Sequence, residues 1–271
     1  MFKLFRKSAP FAVPIITALF TIVPEAFFEY YTLPLPFSNE INIVLTRFFV
    51  CMIIIVSSML LYTLYSHFRK EVYIKGSNYN IVISYGNLFD SQNCKKVIPF
   101  DECFTTTVGQ APGDINPDSI CGQFLAANSI QNMALLIADA NLKPAKSKSK
   151  YQKQIRYNSG SIVPYNDYLL LAFAKLDENG LGRLSFDEYR DCLFLLWEEL
   201  DKHYGQKDVC IPILGSGVTR INDVSPTQQE LLEIILLSYK LSPHKLKPPQ
   251  KLHIVCKKRD GFSLNNIVNV P

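Results

Sequence analysis

The longest uncharged segment of the chain lies between Arg47 and Arg69, where 21 consecutive residues lack Asp, Glu, Lys and Arg. As a helix rising about 1.5 Å per residue, this segment covers the roughly 30 Å hydrocarbon core of a bilayer. A helix that is apolar all round must be buried in a large core or in a membrane. The sequence therefore predicts a membrane-spanning helix here.

A shorter apolar segment precedes it at residues 8–24, with 17 uncharged residues that include Pro10, Pro14 and Pro24. Prolines kink or shorten a helix, so this segment carries the weaker membrane signal. No clear small-x-small cleavage motif follows it, as a removed signal peptide would require. We therefore predict two transmembrane helices within a membrane module of residues 1–70.

Cations flank the outer ends of these two segments, and acids occupy the connector between them. The outer cations are Lys3, Arg6, Lys7, Arg69, Lys70 and Lys75, and the connector acids are Glu25, Glu29 and Glu40. Because positive flanks stay on the cytoplasmic side, both termini are expected to be cytoplasmic. Two spans cannot enclose a pore, so any bilayer damage would need several copies side by side.

Charge and cysteine usage exclude several function classes. The formal net charge is only +4, and the densest cationic stretch is confined to residues 143–156, so a nucleic-acid surface is not expected. The seven cysteines include no CxxC pair and lie mostly in apolar sequence, which is typical of reduced core residues. Neither they nor the four histidines show ligand spacing, so no metal site is predicted.

Residues 71–271 alternate between β-like and helical patterns, which predicts a cytosolic α/β domain with a largely parallel sheet and helices on both faces. The acid-free residues 143–161 lack periodicity and are expected to form a solvated insertion. The predicted strands cover residues 79–84, 95–100, 168–174, 209–214 and 251–256, and the predicted helices cover 120–140, 186–204 and 226–241.

Two helix starts carry capping signals. Ser185 precedes Glu188 by three residues, and Ser225 precedes Gln228 in the same way, with Pro226 at the first helical position. Residues 177–188, DENGLGRLSFDE, partly match a calcium-binding EF-hand loop, but Leu181 stands at the fifth position and cannot ligate. We therefore predict a turn between a strand and a capped helix there.

The apolar run at 209–214 ends abruptly in Gly215, Ser216 and Gly217. A buried strand that opens into a loop of bare amides is one way to hold phosphate, although the same pattern fits an ordinary tight turn. No Lys-Ser/Thr follows, and no GxGxxG opens a helix, so ATP hydrolysis and dinucleotide redox chemistry are poorly supported.

A second candidate is the polar loop at residues 100–122, which follows the carboxyl end of a predicted strand. Ligands of open α/β sheets bind at that edge. Asp101, Glu102 and Cys103 could suggest acid/base or thiol chemistry, but no histidine is placed by sequence to activate the thiol. Polar recognition is the role that we predict for this loop.

The order of YGNLFD, IPFDECFTT, DINPDSICGQF and CIPILGSGVTRI resembles the macro domain of membrane-anchored Thoeris antiphage effectors, over about residues 79–268. The resemblance implies a macro-domain-like mixed sheet flanked by helices and preceded by two transmembrane helices. It also implies an ADP-ribose-derived ligand made by a partner TIR-domain enzyme, no other cofactor, and a location in the bacterial inner membrane.

By position, the resemblance places the diphosphate on the loop at 215–220 and the ribose and its substituent against 101–106 and 119–123. Macro domains that hydrolyse ADP-ribose conjugates carry an NAAN-type segment where this chain has PFDECFTT, which favours binding over catalysis. The implied ligand-binding residues are Asp90, Asp101, Glu102, Cys103, Thr105, Thr106, Ser119, Gly122, Gln123, Leu214, Gly215, Ser216, Gly217, Val218, Thr219 and Arg220.

Three functions of different class remain open from the sequence. The favoured one is a non-enzymatic receptor that binds the signal, oligomerises and disrupts the membrane in abortive infection. The alternative is a membrane-tethered ADP-ribosyl hydrolase in which Asp101 or Glu102 orients water. A membrane protein whose soluble domain only scaffolds partners is the third.

Overall fold

The computed structural model describes residues 2–221, 225–259 and 261–267. The chain divides into two compact units, Met1–Arg69 and Lys70–Pro271. The first unit contains three helices, α1 (Phe2–Ile22), α2 (Glu25–Tyr30) and α3 (Asn39–Phe68).

Only α3 has the length and composition of a membrane span among the described residues. Its segment Asn39–Ser66 is apolar, and few of its side chains are buried in the protein. The apolar part of α1, Ser8–Ile22, is shorter and contains Pro10 and Pro14. At 1.5 Å per residue it is about 22 Å long, less than a hydrocarbon core. The structure thus identifies one clear span where the sequence predicts two.

The connector between α1 and α3 packs against the first turns of α3. Arg47 forms an ion pair with Glu25 at 3.0 Å, and its guanidinium lies 5.1 Å from the ring centre of Phe28. The amide of Leu33 donates to Oγ1 of Thr46 at 3.0 Å. Helices α1 and α3 also pack against each other, so the first unit is a helical hairpin whose connector contacts α3.

The second unit is built on one nine-stranded mixed sheet in the order β1-β2-β9-β7-β3-β5-β6-β8, with β4 also paired to β5. Strands β2, β9, β7, β3 and β5 are mutually parallel, and β1 is antiparallel to β2. The strands are β1 (Glu71–Lys75), β2 (Asn80–Tyr85), β3 (Cys94–Asp101), β4 (Ile162–Tyr165), β5 (Tyr168–Leu176), β6 (Gly182–Leu184), β7 (Asp208–Pro212), β8 (Arg220–Ile221) and β9 (Lys251–Cys256).

Helices cover both faces of this sheet, because its central strands are apolar on both sides. In β5, Leu169, Leu171 and Phe173 pack on one face, and Leu170 and Ala172 pack on the other. The first face carries α6 (Phe186–His203) and α7 (Gln228–Leu241), and the second carries α4 (Ile120–Ala127) and α5 (Met133–Asp139). The predicted α/β architecture is confirmed as a mixed sheet flanked by helices.

The cap of α6 agrees with the sequence, and the cap of α7 does not. Ser185 and Glu188 form a reciprocal capping box at α6. At α7 the box is formed by Thr227 and Glu230, so the predicted N-cap at Ser225 and helical Pro226 are wrong. A Glu carboxylate in the first turn complements the helix dipole, whereas the amide of Gln228 does not.

The predicted helix over 120–140 is two helices. α4 ends at the C-cap Asn128, and α5 restarts at Asn132, whose side chain accepts from the amide of Leu135. Asn side chains compete for backbone groups and so favour helix ends over helix interiors.

The EF-hand-like segment begins with a turn, as predicted, but the short strand β6 then stands between that turn and α6. Oδ1 of Asp177 accepts the amides of Asn179 and Leu181 at 2.9 and 3.0 Å, and Oδ2 pairs with Arg183 at 2.8 Å. These contacts lower the pKa of Asp177. The carboxylate closes the turn between β5 and β6.

Candidate functional site

A cleft of about 1110 Å³ opens at the carboxyl ends of the parallel strands. It lies within the second unit and is bordered by the last residues of β3, β5, β7 and β9 and by the loops that follow them. Open α/β sheets bind their ligands at this edge, because the loops there leave a crevice. The fold therefore brings both sequence-predicted loops to one site.

The glycine loop after β7 forms one wall of the cleft and is fixed at its base. Tyr189 donates its hydroxyl to the carbonyl of Leu214 at 3.1 Å, and the Ser216 hydroxyl donates to the carbonyl of Ile213 at 2.7 Å. Gly215 has a φ of +81°, and a Cβ there would lie 2.8 Å from Cδ1 of Ile221. Gly215 is therefore required by the backbone itself.

The tip of this loop is open. Gly217 borders the cleft, and a Cβ there would meet no atom within 4 Å. The amides of Gly217 and Val218 donate to no acceptor within the described ranges. Two adjacent unpaired amides on an exposed loop are suited to an anion.

The lining of the cleft contains three cations, namely Arg220, Lys257 and Arg259. Nη1 of Arg259 donates to the carbonyl of Ser216 at 2.6 Å, which places its charge beside the loop. The first residue of α7, Gln228, also lines the cleft, and helix N-termini favour negative charge. This side of the cleft is therefore electropositive.

Asp101 lies at the end of β3 and gives the cleft a buried acceptor. The residue is 4% exposed, and its Oδ1 accepts the amides of Cys103 and Thr105 at 2.7 and 3.3 Å. Its Oδ2 has no hydrogen-bond partner in the described part of the chain. Burial raises the pKa of Asp101, while the hydrogen bonds from Thr105 and Cys103 lower it. Asp101 therefore places a buried carboxylate oxygen without a protein partner at the border of the cleft.

Glu102 points away from the cleft. It is 2% exposed, pairs with Arg156 at 3.2 Å, and accepts from the Ser149 hydroxyl at 2.7 Å and the Leu176 amide at 3.3 Å. Its carboxylate is therefore satisfied by protein groups, and it anchors the segment that follows α5.

The segment 143–161, which the sequence predicts to be a solvated insertion, is instead attached to the domain through these contacts with Glu102. Backbone hydrogen bonds from Ala145 to Arg156 and from Ser149 to Gln154 give the segment a hairpin-like form, and Ser149 is buried. Its lysines are exposed. The segment is therefore partly buried where it attaches to the domain, and its lysines face the solvent.

Cys103 is half-buried, and burial together with the charge of Asp101 raises the pKa of its thiol to about 12. At neutral pH the thiol is protonated, so it is a poor nucleophile. Within the ranges that the structure describes, no three His, Cys, Asp or Glu side chains converge as metal ligands.

The sequence-derived residues divide into two groups by position. Those that line the cleft are Asp101, Ser119, Gln123, Leu214, Gly215, Ser216, Gly217, Val218, Thr219 and Arg220. Those outside its lining are Asp90, Glu102, Cys103, Thr105, Thr106 and Gly122. Gly122 has a packing role, because a Cβ there would lie 2.3 Å from the carbonyl oxygen of Asn116.

Several lining residues carry no distinctive sequence motif. Gly86 and Asn87 follow β2, Lys257 and Arg259 follow β9, and Gly180 lies in the turn after β5. Their common signal is a position just beyond the carboxyl end of a parallel strand. That signal becomes usable only when the strand order is known.

The family described as "Thoeris protein ThsA, Macro domain" matches residues 81–257. This range holds the parallel strands and most of the loops that form the cleft. The chain belongs to the Thoeris ThsA macro-domain family. The family assignment confirms the resemblance found in the sequence and the macro-like fold.

A curated relative agrees with this assignment. Thoeris protein ThsA of Bacillus amyloliquefaciens (strain Y2) is 30% identical over 207 residues, which cover 73% of this chain and 69% of that protein. The chain therefore carries a macro domain of a Thoeris defence protein.

Proposed function

We propose that the cleft binds an ADP-ribose-derived signal and that the chain is the Thoeris effector that responds to it. The observation that carries this proposal is the pairing of an electropositive amide loop at Gly217 with the unpartnered Oδ2 of Asp101 in one cleft. Diphosphate is an anion that suits the loop, and ribose hydroxyls or an amino group are donors that suit the carboxylate. Macro-domain membership supports the same ligand class.

Binding without turnover is the role that the residues around the cleft favour. Hydrolysis would require a group that activates water beside the bond that breaks. Glu102, one of the two acids considered for this, is occupied by Arg156 and Ser149 outside the cleft. Asp101 remains in the lining, as do Asp114 and Asp118, so recovery of an intact ADP-ribose conjugate after long incubation distinguishes a receptor from a hydrolase.

The proposal extends to the membrane. The long apolar α3 supports membrane association, and we propose that α1 is a second, kinked span, with both termini in the cytoplasm of a bacterium. A TIR-domain enzyme would supply the signal, and assembled copies would then disrupt the inner membrane and abort infection. For the ligand to drive assembly, it must bind the assembled state more tightly than the resting state.

Proteoliposomes that contain the full chain and an entrapped dye test this function. We expect ADP-ribose, or the product mixture of a TIR-domain enzyme, to release dye with a steep dependence on protein density, because several copies must meet. Empty liposomes are the control. Ligand binding without dye release would contradict the membrane role. Dye release that is the same with and without the ligand would contradict the sensing role.

A further inference from the structure

The outer edge of β1 ends the sheet. β1 pairs only with β2, and no strand covers its other side among the residues that the structure describes. Val72 is buried and Ile74 half-buried, while Glu71, Tyr73 and Lys75 are exposed, Tyr73 to 64%. An uncovered edge strand presents unpaired amides and carbonyls that can pair with another strand.

The backbone contacts show which groups are free. The carbonyl of Lys70 accepts the amide of Tyr85, and the amide of Gly76 donates to the carbonyl of Tyr79. Even-numbered residues of β1 therefore direct their polar groups towards β2. In an antiparallel ladder this direction alternates, so Glu71, Tyr73 and Lys75 present theirs to the open edge.

The side chains at this edge are complementary to a second copy of the same strand. An antiparallel pair centred on Tyr73 places Glu71 of each copy opposite Lys75 of the other and uses all three residues with free backbone groups. Pairing centred on Glu71 or on Lys75 would bring like charges together. Glu71 accepts the hydroxyl of Tyr73 on its own strand at 2.9 Å, and neither Glu71 nor Lys75 has an ion-pair partner in the described residues.

We propose that β1 is a homodimer interface, in which two copies join their sheets by antiparallel pairing across a two-fold axis at Tyr73. This inference rests on the proposed function, since it names the surface through which effector copies assemble. Such a five-residue contact is small. Confinement of both copies to one membrane would raise their effective concentration, so that this small contact is enough to hold the dimer together.

Charge reversal at the two ends of the strand provides the test. Two differently tagged full-length copies are expressed in one membrane, extracted in mild detergent and recovered through one tag. We expect Glu71→Lys in both copies, or Lys75→Glu in both, to lower co-recovery at least about threefold, because each opposite-charge pair becomes a like-charge pair. Lys148→Glu, an exposed charge reversal on the hairpin-like segment, should leave it unchanged.

The decisive sample mixes Glu71→Lys in one copy with Lys75→Glu in the other. Every Lys then faces a Glu of the other copy, so co-recovery should return to the wild-type level. The inference is overturned if wild-type copies do not co-purify, if the single reversals match wild type, or if the mixed sample does no better than the singles. Titration of ADP-ribose into the same variants reports the cleft separately, so failure of the interface is distinguishable from failure of ligand binding.

Discussion

Replacement of Gly217 with Trp is expected to lower the affinity for ADP-ribose by at least about 100-fold, or roughly 2.7 kcal/mol at 25 °C. The added side chain would extend from the loop tip into the cleft, where a Cβ meets no protein atom within 4 Å. For the same reason the fold should tolerate it, so the thermal unfolding temperature should stay close to that of the wild type. Isothermal titration of the detergent-solubilised full chain measures the affinity.

Two matched variants control this result. Gly217→Ala adds one methyl group in open space and should retain most of the affinity. In Gly215→Ala the new Cβ would crowd Cδ1 of Ile221, and the backbone would keep a positive φ that alanine disfavours. This variant should lower the free energy of unfolding by an amount on the order of 1–3 kcal/mol. Wild-type affinity in Gly217→Trp would show that the ligand does not occupy the space beside the loop tip.

Asp101→Asn is expected to weaken ADP-ribose binding at least about tenfold while it stabilises the ligand-free protein by about 1 kcal/mol. The amide oxygen can still accept from Cys103 and Thr105, but the unpartnered carboxylate oxygen becomes a donor. A donor there would face the donor groups of the ligand, and the buried charge would be gone. Thermal unfolding with and without ADP-ribose measures both effects.

The pH dependence gives an independent check on Asp101. Its pKa is raised in the folded protein, so the ionised carboxylate destabilises the fold at neutral pH. As the pH falls through the raised pKa towards the ordinary value of 3.8, protonation removes that cost and the Asp101 contribution to stability improves. Asp101→Asn should lack this component. If wild type and Asp101→Asn show the same dependence of stability on pH and the same affinity for ADP-ribose, Asp101 is not part of the binding site.

The central architecture was predictable from the sequence, because long elements carry strong periodic patterns. The apolar run at 168–174 indicates a strand, and Ser185 with Glu188 marks the start of α6. The shortest strands were not predictable. β8 has two residues and β6 has three, too few to show any period, and their pairing depends on chain segments distant in sequence.

The same contrast holds at the cleft. The glycine loop and Asp101 follow the ends of strong strands, so their location could be inferred. The sequence could not show whether Asp101 or Glu102 lies at the cleft. The reason is that the pairing of β3 with β5 shifts register between Phe100 and Asp101. Such an irregularity changes the direction of side chains, and nothing in the local sequence marks it here. Lys257 and Arg259 reach the site through the strand order, which local patterns do not specify.

The central claim is that this cleft holds an ADP-ribose-derived molecule without breaking it down. Equilibrium titration of ADP-ribose into the full chain, with chromatographic analysis of an ADP-ribose conjugate incubated with the same protein, tests it most directly. We predict saturable binding with one molecule per chain, loss of that binding in Gly217→Trp, and recovery of the conjugate intact after long incubation. Absence of binding, or conversion of a supplied ADP-ribose conjugate to free ADP-ribose by the wild type but not by Asp101→Ala, would contradict the claim.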